Sequence, residues 1–394
     1  MKVCLFSESF LPQIGGKELV IHHLANSLCD IGCSVTVITK EAPGKLEVDK
    51  KYRLVRYWKL FPGSGRTGFD FITSDITIYR ENKKDKFDII NCHGVGFDAG
   101  RVIFAKKFIK APIIMTPHGN DLYTVPEINL GLRMNKRYDR IIKRNLKTCD
   151  AITAISNSFI DEISLITGNK VYLISNGINK KLFTNKKSDY LYKLLSLDPK
   201  HKIVLSVGRN VASKDYESGI HAFEILNKKD EGKNLVYCII GKDSNKFEGL
   251  VNRLNLNKNV FLIPEQNQDN IIKSYQSAWC LLSTSIIEGL SLVNIEAMST
   301  GLPLVLTEVP GNVDILNENK CGVFVKKGDP ISMAHGILSI YSNDALYHEL
   351  SHKALVQSEK YDWGNIAKMY LDVYRRVIDH TLNKKFRINN FALG

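Results

Sequence analysis

Short runs of apolar, mostly β-branched residues alternate along the chain with segments of helical periodicity. Such runs, about four to eight residues long, are typical of strands buried on both faces of a parallel sheet. Because two series of runs alternate with helix-length segments, the pattern predicts two α/β domains, each with a doubly wound sheet. The runs are KVCLFSE, SVTVIT, FDIINCHG, APIIMTPHG, AITAIS and VYLISNGI in the first series, and KIVLSVGR, VYCIIG, NVFLIP, WCLLSTS and LPLVLTE in the second.

The length of the chain, 394 residues, also favours two domains, because it exceeds what one core usually serves. The polar, lysine-rich passage NKKLFTNKKSDY separates the two series. We therefore expect a first domain over 1–184 and a second over 185–372. The segment YDWGNIAKMYLDVYRRVIDHTL has a helical pattern. We expect a helix over about 373–394 to return to the first domain.

The composition, with 44% hydrophobic and 24% charged residues, is that of a globular protein. The eight cysteines are scattered without a Cys-x-x-Cys pair, and several lie in apolar runs. This pattern favours a reducing compartment over a disulfide framework or a zinc ribbon. The first apolar run is too short for a signal peptide, and no stretch approaches the roughly 18 apolar residues of a spanning helix. We therefore expect a cytoplasmic protein.

The net charge of +13 is most concentrated in LRMNKRYDRIIKRNLK, within residues 131–147. Read as one helix, this segment repeats basic residues every three or four positions and turns apolar residues to another side. The basic face could lie on the anionic inner face of the cytoplasmic membrane, or it could be a solvated face over a core. Nucleic acid is not expected, because no aromatic-rich basic platform accompanies the charge. The basic residues are Arg133, Lys136, Arg137, Arg140, Arg144 and Lys147.

Residues that carry chemistry are expected just after strands, because open parallel sheets bind ligands at the carboxyl ends of their strands. Two such sheets facing each other would form a cleft between those ends. Gly15 and Gly16 follow the first run and precede a helix, where backbone N–H groups can approach an anion. The spacing is not G-x-G-x-x-G, so a nicotinamide or flavin fingerprint is absent. His93 and His118 also follow strands, and a single histidine there is usually structural.

The first strand of the second domain is followed by SVGRNVASKDY, which places Arg209 and Lys214 in a loop. The planar guanidinium and the compact ammonium both suit phosphate oxygens. Together they could neutralise a diphosphate without a metal. For any one such pair, two solvated surface cations are the commoner interpretation.

Two glutamates, Glu288 and Glu296, flank a predicted helix start in SIIEGLSLVNIEAMSTGLPLVLT. Ser291 is a plausible N-cap for the helix, and Gly301 ends it before the next strand. The N–H groups between the glutamates would then attract an anion. A nucleotide-sugar fits this arrangement, with its diphosphate at the helix end and sugar hydroxyls on the carboxylates. The residues between the glutamates that would supply these groups are Gly289, Leu290, Ser291, Leu292 and Val293.

The spacing of the glutamates is weak by itself, because a chain with 18 Glu is expected to hold roughly one such pair by chance. In context, EGLSLVNIEAMSTGLPLV resembles the Glu-x7-Glu signature of retaining glycosyltransferases of family 4. That family adopts the GT-B fold, in which two Rossmann-like domains face each other across a cleft. The resemblance covers nearly the whole chain in the family's order. The matching segments are GGKELVIHHLANSLCDIGCSVTVIT, FDIINCHG, TPHG, ISNGIN, SVGRNVASKDY, CGVFVKKGDP and the tryptophan of YDWGNIAKMYLDVYRR.

The resemblance implies transfer of a hexose from a nucleotide-diphosphate sugar to an acceptor hydroxyl, with retention of the α-anomeric configuration. Glu288 would contact the donor hexose hydroxyls, and Glu296 the ribose hydroxyls. Arg209 and Lys214 would stabilise the departing diphosphate. The diphosphate would leave on the face that the acceptor attacks, so the protein needs no nucleophile of its own.

The resemblance also implies roles in the first domain, with His118 as a catalytic residue beside the reacting sugar and Gly16 near the phosphate and acceptor. Four places depart from the family's pattern. The loop IPEQNQDN lacks the glycine that often ends the preceding strand. Gly-Leu-Ser stands where a Gly-Phe-Gly-like turn is common, Asn294 occupies a usually apolar position, and Asp314 stands where a glutamate is common. These departures bear on the base and sugar of the donor rather than on the fold.

No metal or cofactor is expected, because the chain lacks the Asp-x-Asp pair of the other major glycosyltransferase architecture. The expected partners are a UDP- or GDP-linked sugar and a glycan or lipid-linked glycan acceptor, in bacterial polysaccharide, lipopolysaccharide or glycolipid synthesis. Two alternatives remain open. One is a GT-B nucleotide-sugar epimerase, and the other is a non-catalytic membrane-associated binding protein. A phosphorylase is disfavoured, because we find no lysine site for pyridoxal phosphate.

Overall fold

All strands in the described part of the chain are parallel, and they form two separate sheets of seven and six strands. By its contacts the chain divides into a first unit, Met1–Gly177 with Trp363–Gly394, and a second unit, Ile178–Asp362. The prediction of two Rossmann-like α/β domains is confirmed. The computed structural model describes residues 1–13, 15–44, 48–58, 70–228 and 232–391.

The first unit alternates strands and helices, with the sheet order β3-β2-β1-β4-β5-β6-β7. Its strands are β1 Lys2–Ser7, β2 Ser34–Lys40, β3 Arg53–Tyr57, β4 Ile89–His93, β5 Ile113–Thr116, β6 Ala151–Ala154 and β7 Val171–Leu173. The intervening helices are α1 Gly16–Asp30, α2 Asp70–Lys84, α3 Phe97–Ala105, α4 Lys136–Thr148 and α5 Asn157–Ser164. Strands β4, β5 and β6 are buried at every position, which explains why their sequences begin with apolar residues and carry no charged side chain.

The second unit has the sheet order β10-β9-β8-β11-β12-β13. Its strands are β8 Lys202–Val207, β9 Leu235–Ile240, β10 Val260–Ile263, β11 Cys280–Ser283, β12 Leu304–Thr307 and β13 Gly322–Val325. Its helices are α6 Tyr190–Leu194, α7 Tyr216–Asn227, α8 Glu248–Arg253, α9 Gln268–Ser277, α10 Leu292–Ser299, α11 Pro310–Asn319, α12 Pro330–Tyr341 and α13 Asp344–Ser358. The core contains Phe223 stacked on Tyr237, with ring centroids 4.8 Å apart.

Every apolar run that predicts a strand forms one, and the two strands that the runs miss, β3 and β13, lie at sheet edges. An edge strand is only partly covered, so its sequence need not be continuously apolar. In β3 the sequence RLVRY carries two arginines, and only its last residue is fully buried. In β13, the sequence GVFV is short, and Phe324 is exposed.

The divide between the units falls seven residues before the boundary expected at 184/185 and about ten residues before the one expected at about 372/373. Ile178 already belongs to the second unit, because its N–H donates to the carbonyl of Tyr361 at 2.7 Å and it pairs with Asp362. Trp363 belongs to the first unit, because its indole ring fills the space where a Cβ at Gly177 would lie. The lysine-rich passage is therefore the start of the second unit, although its polar sequence resembles a linker.

The last helix, α14 Trp363–Phe391, lies in the first unit and packs against α1. Tyr374 of α14 is fully buried, and its hydroxyl accepts a hydrogen bond from Asn91 of β4 at 2.9 Å. The ring of Trp363 packs against that of His23 on α1, with centroids 5.9 Å apart. The end of the chain thus helps to cover a sheet formed by its beginning. None of the described helices is long and apolar enough to cross a membrane.

The interpretation of 131–147 as one continuous helix is wrong at its N-terminal end. A separate 3-10 turn covers Leu132–Met134, and Asn135 caps α4 by accepting a hydrogen bond from the N–H of Arg137 at 2.9 Å. Arg133 therefore lies outside α4, where it pairs with Asp139 at 3.0 Å. A capping asparagine starts a new helix because its side chain satisfies the first free N–H groups. The basic face of α4 consists of Lys136, Arg137, Arg140, Lys143, Arg144 and Lys147, all exposed.

Candidate functional site

The loop that follows β8 is shaped by a close approach to the loop that follows β9. The N–H of Gly208 donates to the carbonyl of Ile240 at 2.9 Å, and any Cβ at Gly241 would collide with the carbonyl oxygen of Gly208. Both glycines have positive φ, at +144° and +157°, which other residues rarely adopt. The turn presents Arg209 at the surface. Within the described residues, its guanidinium has no hydrogen bond or ion pair with the protein.

Lys214 and Glu288, predicted separately from two distant motifs, form an ion pair. The Nζ of Lys214 lies 2.6 Å from Oε1 of Glu288, and the side chains are only 23% and 12% exposed. The hydroxyl of Ser285 donates to the same carboxylate oxygen at 2.7 Å. The hydroxyl of Thr284 donates to the carbonyl oxygen of Lys214, so the loop after β11 is also tied to the backbone of the lysine. Two predicted donor-binding residues are thereby held against each other.

Helix α10 begins where the sequence places it, just after the Gly-Leu-Ser turn. Ser291 is the N-cap residue by position, with extended backbone angles, but its side chain makes no capping hydrogen bond. Gly301 follows the helix with φ +78°, a conformation suited to glycine. Because no side chain caps the first turn, its N–H groups are available to an anion. Gly289, Leu290, Leu292 and Val293 lie on this turn or the loop before it, and their roles as donor ligands stay predictions.

Glu296 is held in place from a different helix. The hydroxyl of Tyr275, on α9, donates to Oε2 of Glu296 at 2.8 Å. Burial raises the pKa of Glu296 to about 7, against a smaller opposing effect of the Tyr275 hydrogen bond. Burial and the neighbouring Glu296 raise the pKa of Tyr275 well above its usual value, so its hydroxyl stays a donor at neutral pH.

Asn294, which occupies a usually apolar position of the family on α10, is fully buried. Its amide donates to Oδ1 of Asn312 on α11 at 2.8 Å, and the Asn312 amide donates to the carbonyl of Thr307 at 2.9 Å. The Thr307 hydroxyl in turn donates to the carbonyl of Ser285 at 2.6 Å. This chain of hydrogen bonds connects α10 and α11 to the loop that carries Glu288. The asparagine therefore supports that loop through the protein interior.

A narrow recess, partly open to solvent, lies between the loops after β8 and β11. Lys214, Ser285, Ser291 and Val293 line it, together with Tyr216 at the start of α7. Of these, Ser285 and Tyr216 are absent from the predicted site. Ser285 lies only three residues before Glu288, so its proximity could have been a signal. Nothing in the sequence pattern distinguishes Tyr216 from other aromatic residues of the core.

In the first unit, His118 makes close contact with His93. Nδ1 of His93 lies 3.0 Å from Nε2 of His118, and the rings are stacked. Oδ1 of Asp121 accepts hydrogen bonds from the N–H groups of His118, at 2.9 Å, and of Gly119, at 3.0 Å. Burial lowers the pKa of His93 to about 3 and that of His118 well below its usual value, and the charge of Lys17 acts in the same direction. Both imidazoles are therefore neutral at physiological pH.

Gly16 is the first residue of α1, and a carboxylate of the protein already lies at this helix end. A Cβ at Gly15 would collide with the carboxylate of Glu18, which is 93% buried and accepts a hydrogen bond from Ser9 at 2.5 Å. A carboxylate in the first turn is stabilised by the helix dipole. The N–H groups at this helix end are thus close to the carboxylate of Glu18. The role of Gly16 in binding the donor stays a prediction.

Two family models match consecutive parts of the chain. Glycosyltransferase Family 4 matches residues 14–182, and Glycosyl transferases group 1 matches residues 193–356. Together they account for most of both units. The chain belongs to glycosyltransferase family 4 and has the GT-B fold, so the enzyme is a glycosyltransferase.

Similar proteins cover almost the full length of the chain. N-acetyl-alpha-D-glucosaminyl L-malate synthase from Bacillus anthracis is 23% identical over 95% of this chain and 97% of its own. Alpha-monoglucosyldiacylglycerol synthase from Acholeplasma laidlawii is 23% identical over 98% of this chain and 100% of its own. Anabaena HepE, solved in complex with UDP and glucose, superposes with a TM-score of 0.77 and 16% identity, covering 95% of this chain and 100% of its own. This last likeness shows a shared fold.

The buried His93 should make the stability of the protein fall as the pH is lowered from 7 to 5. Its folded-state pKa is about 3, so the folded protein stays unprotonated there while the unfolded chain binds a proton near pH 6.5. The stability contributed is fully present above pH 6.5 and is lost below it. Replacing His93→Gln should reduce the slope of unfolding free energy against pH by up to about 1.4 kcal/mol per pH unit.

The measurement is urea unfolding followed by circular dichroism at pH 7, 6 and 5. His380→Gln, at an exposed position on α14, is the matched control and should leave the slope unchanged. The slope is the useful quantity because it is independent of any constant loss of stability that the substitution causes. An identical slope for His93→Gln and the wild type would contradict the prediction.

Proposed function

We propose that this glycosyltransferase moves a hexose from a nucleotide-diphosphate sugar to an acceptor hydroxyl, with retention of the α-anomeric configuration. The observation that carries the proposal is that Lys214 and Ser285 both contact Glu288, close to the start of α10. The N-cap side chain of that helix makes no capping hydrogen bond. Arg209 lies in the loop after β8, the strand next to β11 in the sheet. Cations, helix N–H groups and a carboxylate therefore come together at one edge of one sheet.

The cationic groups suit a departing diphosphate. As the bond to the sugar breaks, negative charge develops on the leaving oxygen, and donors fixed in advance stabilise it. Lys214 supplies a point charge, and Arg209 supplies a planar fork that no described protein group occupies. The N–H groups of the α10 first turn add the positive end of a helix dipole. Hydrogen bonds to charged groups of this kind contribute about 1.5 to 3 kcal/mol each.

The two carboxylates suit sugar hydroxyls. In the proposed complex, Glu288 accepts hydrogen bonds from the hexose and Glu296 from the ribose. Each carboxylate is oriented by protein donors, Glu288 by Ser285 and Lys214, and Glu296 by Tyr275. Because the diphosphate leaves on the face that the acceptor attacks, no covalent intermediate with the protein is required. The predicted roles of His118 and Gly16, which lie in the first unit, remain part of this proposal.

The relatives support the choice of substrates. HepE was solved with UDP and glucose, and the Acholeplasma relative is named for synthesis of a glucosylated diacylglycerol. For this chain we propose a UDP- or GDP-linked hexose as donor and a glycan or lipid-linked glycan as acceptor. The pathway would be bacterial polysaccharide, lipopolysaccharide or glycolipid synthesis in the cytoplasm.

Replacing Glu288→Gln should lower donor turnover by about 100-fold or more while leaving the fold intact. The change removes the charge that pairs with Lys214 and weakens an acceptor for sugar hydroxyls, and losses of this size are usual when a group that stabilises a transition state is removed. Thermal unfolding with UDP, GDP, ADP, CMP and their sugar conjugates first identifies the donor. A ligand at a hundred times its dissociation constant stabilises the protein by about 2.7 kcal/mol.

Turnover is then measured as release of the nucleoside diphosphate. The control is Glu349→Gln, which also removes a glutamate paired with a lysine, Lys353, but at an exposed position on α13. It should turn over donor like the wild type. Normal turnover in Glu288→Gln, with unchanged circular dichroism, would show that the carboxylate has another role.

Donor turnover should be the same in excess EDTA as in added Mg²⁺ or Mn²⁺. In the proposed mechanism, Arg209, Lys214 and the α10 N–H groups neutralise the leaving group, so a divalent cation has no step to support. The assay is nucleoside diphosphate release after dialysis against chelator, with the anomeric configuration of the product read by proton NMR. A strict requirement for either metal would contradict this part of the proposal, and an inverted product would contradict the retaining mechanism.

We also propose that the basic face of α4 holds the enzyme on an anionic membrane surface. Its six cations are exposed, and only Lys143 has a close acidic partner on the helix, Asp139 at 2.8 Å. Helix α3 packs against α4 and carries Phe104, which is followed by Phe108. These rings are 47% and 61% exposed. Exposed basic side chains and exposed aromatic rings on neighbouring elements suit the interface of an anionic bilayer.

Replacing Lys136, Arg140 and Lys147 together by glutamine should weaken binding to anionic vesicles by about 100-fold, since each basic residue near the surface contributes about 1 kcal/mol. Co-sedimentation with phosphatidylglycerol vesicles at low and high salt is the measurement, and neutral phosphatidylcholine vesicles should bind neither protein. The matched control replaces Lys228, Lys246 and Lys258, which are exposed on the second unit. Equal binding of the two triple variants would refute the assignment of this surface.

A further inference from the structure

Tyr216, the first residue of α7, carries a buried hydroxyl that has no hydrogen-bond partner in the described part of the chain. The residue is only 3% exposed, and its ring packs edge-on against Phe247 with centroids 6.4 Å apart. Within the described residues, the hydroxyl makes no hydrogen bond. It lies against Gly208, where a Cβ would come within 2.9 Å of the hydroxyl oxygen. The absence of a side chain at Gly208 therefore provides the space for this hydroxyl.

An unpaired hydroxyl at this position needs a reason, because burying a polar group without a partner lowers stability. Two other buried tyrosines of the same unit have partners. Tyr237 bonds to Ser206 at 2.8 Å, and Tyr275 bonds to Glu296 at 2.8 Å. A phenylalanine at position 216 could pack against Phe247 equally well. We therefore expect the hydroxyl to form a hydrogen bond with a ligand rather than to stabilise the fold.

The surroundings of the hydroxyl indicate an anionic ligand. Tyr216 lines the recess together with Ser291, whose side chain makes no capping hydrogen bond, and with Lys214 and Ser285, which donate to Glu288 in this structure. Burial raises the pKa of the Tyr216 phenol well above its usual value, with smaller contributions from neighbouring groups that include Glu288. The phenol stays protonated and can donate as well. A group of donors around one recess is complementary to phosphate oxygens.

The side chain of Lys214 approaches the same glycine, Gly208, as the hydroxyl of Tyr216. Its Cε would be 3.6 Å from a Cβ at Gly208, and its ammonium group is turned to Glu288. The side chain of Lys214 and the hydroxyl of Tyr216 therefore both lie close to Gly208, at the start of the loop after β8. A ligand group bound at this point of the recess can contact both.

We propose that Tyr216 is a further donor-binding residue, whose hydroxyl donates a hydrogen bond to a diphosphate oxygen of the nucleotide-sugar. This inference rests on the proposed function, since it adds a ligand to the same recess. It assigns to the hydroxyl a partner that the described residues do not supply. It also distinguishes Tyr216 from the other aromatic residues around it, which pack or bond within the protein.

The test replaces Tyr216→Phe and compares two quantities. Without ligand, the melting temperature should equal or exceed that of the wild type, because an unpaired buried hydroxyl is removed. The dissociation constant for the nucleoside diphosphate that most stabilises the wild type, measured by calorimetry, should rise about tenfold or more, as expected for a lost hydrogen bond to a charged group. The matching nucleoside, which lacks phosphate, should bind both proteins equally.

Tyr192→Phe is the matched control, because its hydroxyl donates to the carbonyl of His201 at 2.9 Å, outside the recess. It should lower the melting temperature and leave the dissociation constant unchanged. An equal diphosphate affinity for Tyr216→Phe and the wild type would overturn the inference. An equal loss for the nucleoside would also overturn it, by placing the hydroxyl at the base or ribose. Failure of the wild type to bind any nucleotide of the panel would instead contradict the proposed function itself.

Discussion

Parallel pairing of β8 with β11 is the constraint on which the second unit's site depends. Val204 pairs with Cys280 and Leu205 with Leu281, so the two strands end side by side although many residues separate them in sequence. Strand order reverses at this point, because β9 and β10 extend to one side and β12 and β13 to the other. The following loops therefore diverge and leave a recess at the carboxyl ends of the strands. The first unit reverses its order in the same way between β1 and β4.

Lys214 and Glu288 neutralise each other in this structure, and both are residues that we propose to contact the nucleotide-sugar. Lys214 neutralises Glu288 in a position where both side chains are mostly buried, and removing one partner would leave the other without compensation. In the proposed complex, a diphosphate would take the place of Glu288 beside Lys214, and a sugar hydroxyl would donate to Glu288. Glu296 differs, because an aromatic hydroxyl rather than a cation orients it, and its pKa is raised to about 7. The two glutamates are thus similar in sequence context but different in electrostatic environment.

Several features could be predicted because they depend on local pattern. Continuous apolar runs predict the buried strands, and the turn Gly-Leu-Ser before LVNIEAMS predicts the start of α10 close to where it occurs. The sequence pattern does not predict features that depend on how other elements pack against a segment or on a single capping contact. The edge strand β3 carries arginines because one side of it is open, and α4 starts at Asn135 because that side chain caps it. The limits of the two units depend on contacts such as those of Ile178 and Trp363, which no linker composition reveals.

By itself, the sequence determined the fold class, the order of the strands along the chain and the positions of Arg209, Lys214, Glu288 and Glu296 just after strands or at a helix start. These follow from periodicity and turn chemistry, which act over a few residues. Only the tertiary structure decided which of these side chains meet and that His93 contacts His118. It also decided that the Tyr216 hydroxyl lies at the recess without a hydrogen bond to any described residue. Such contacts depend on strand pairing between distant segments, and one sequence carries no local signal for that pairing.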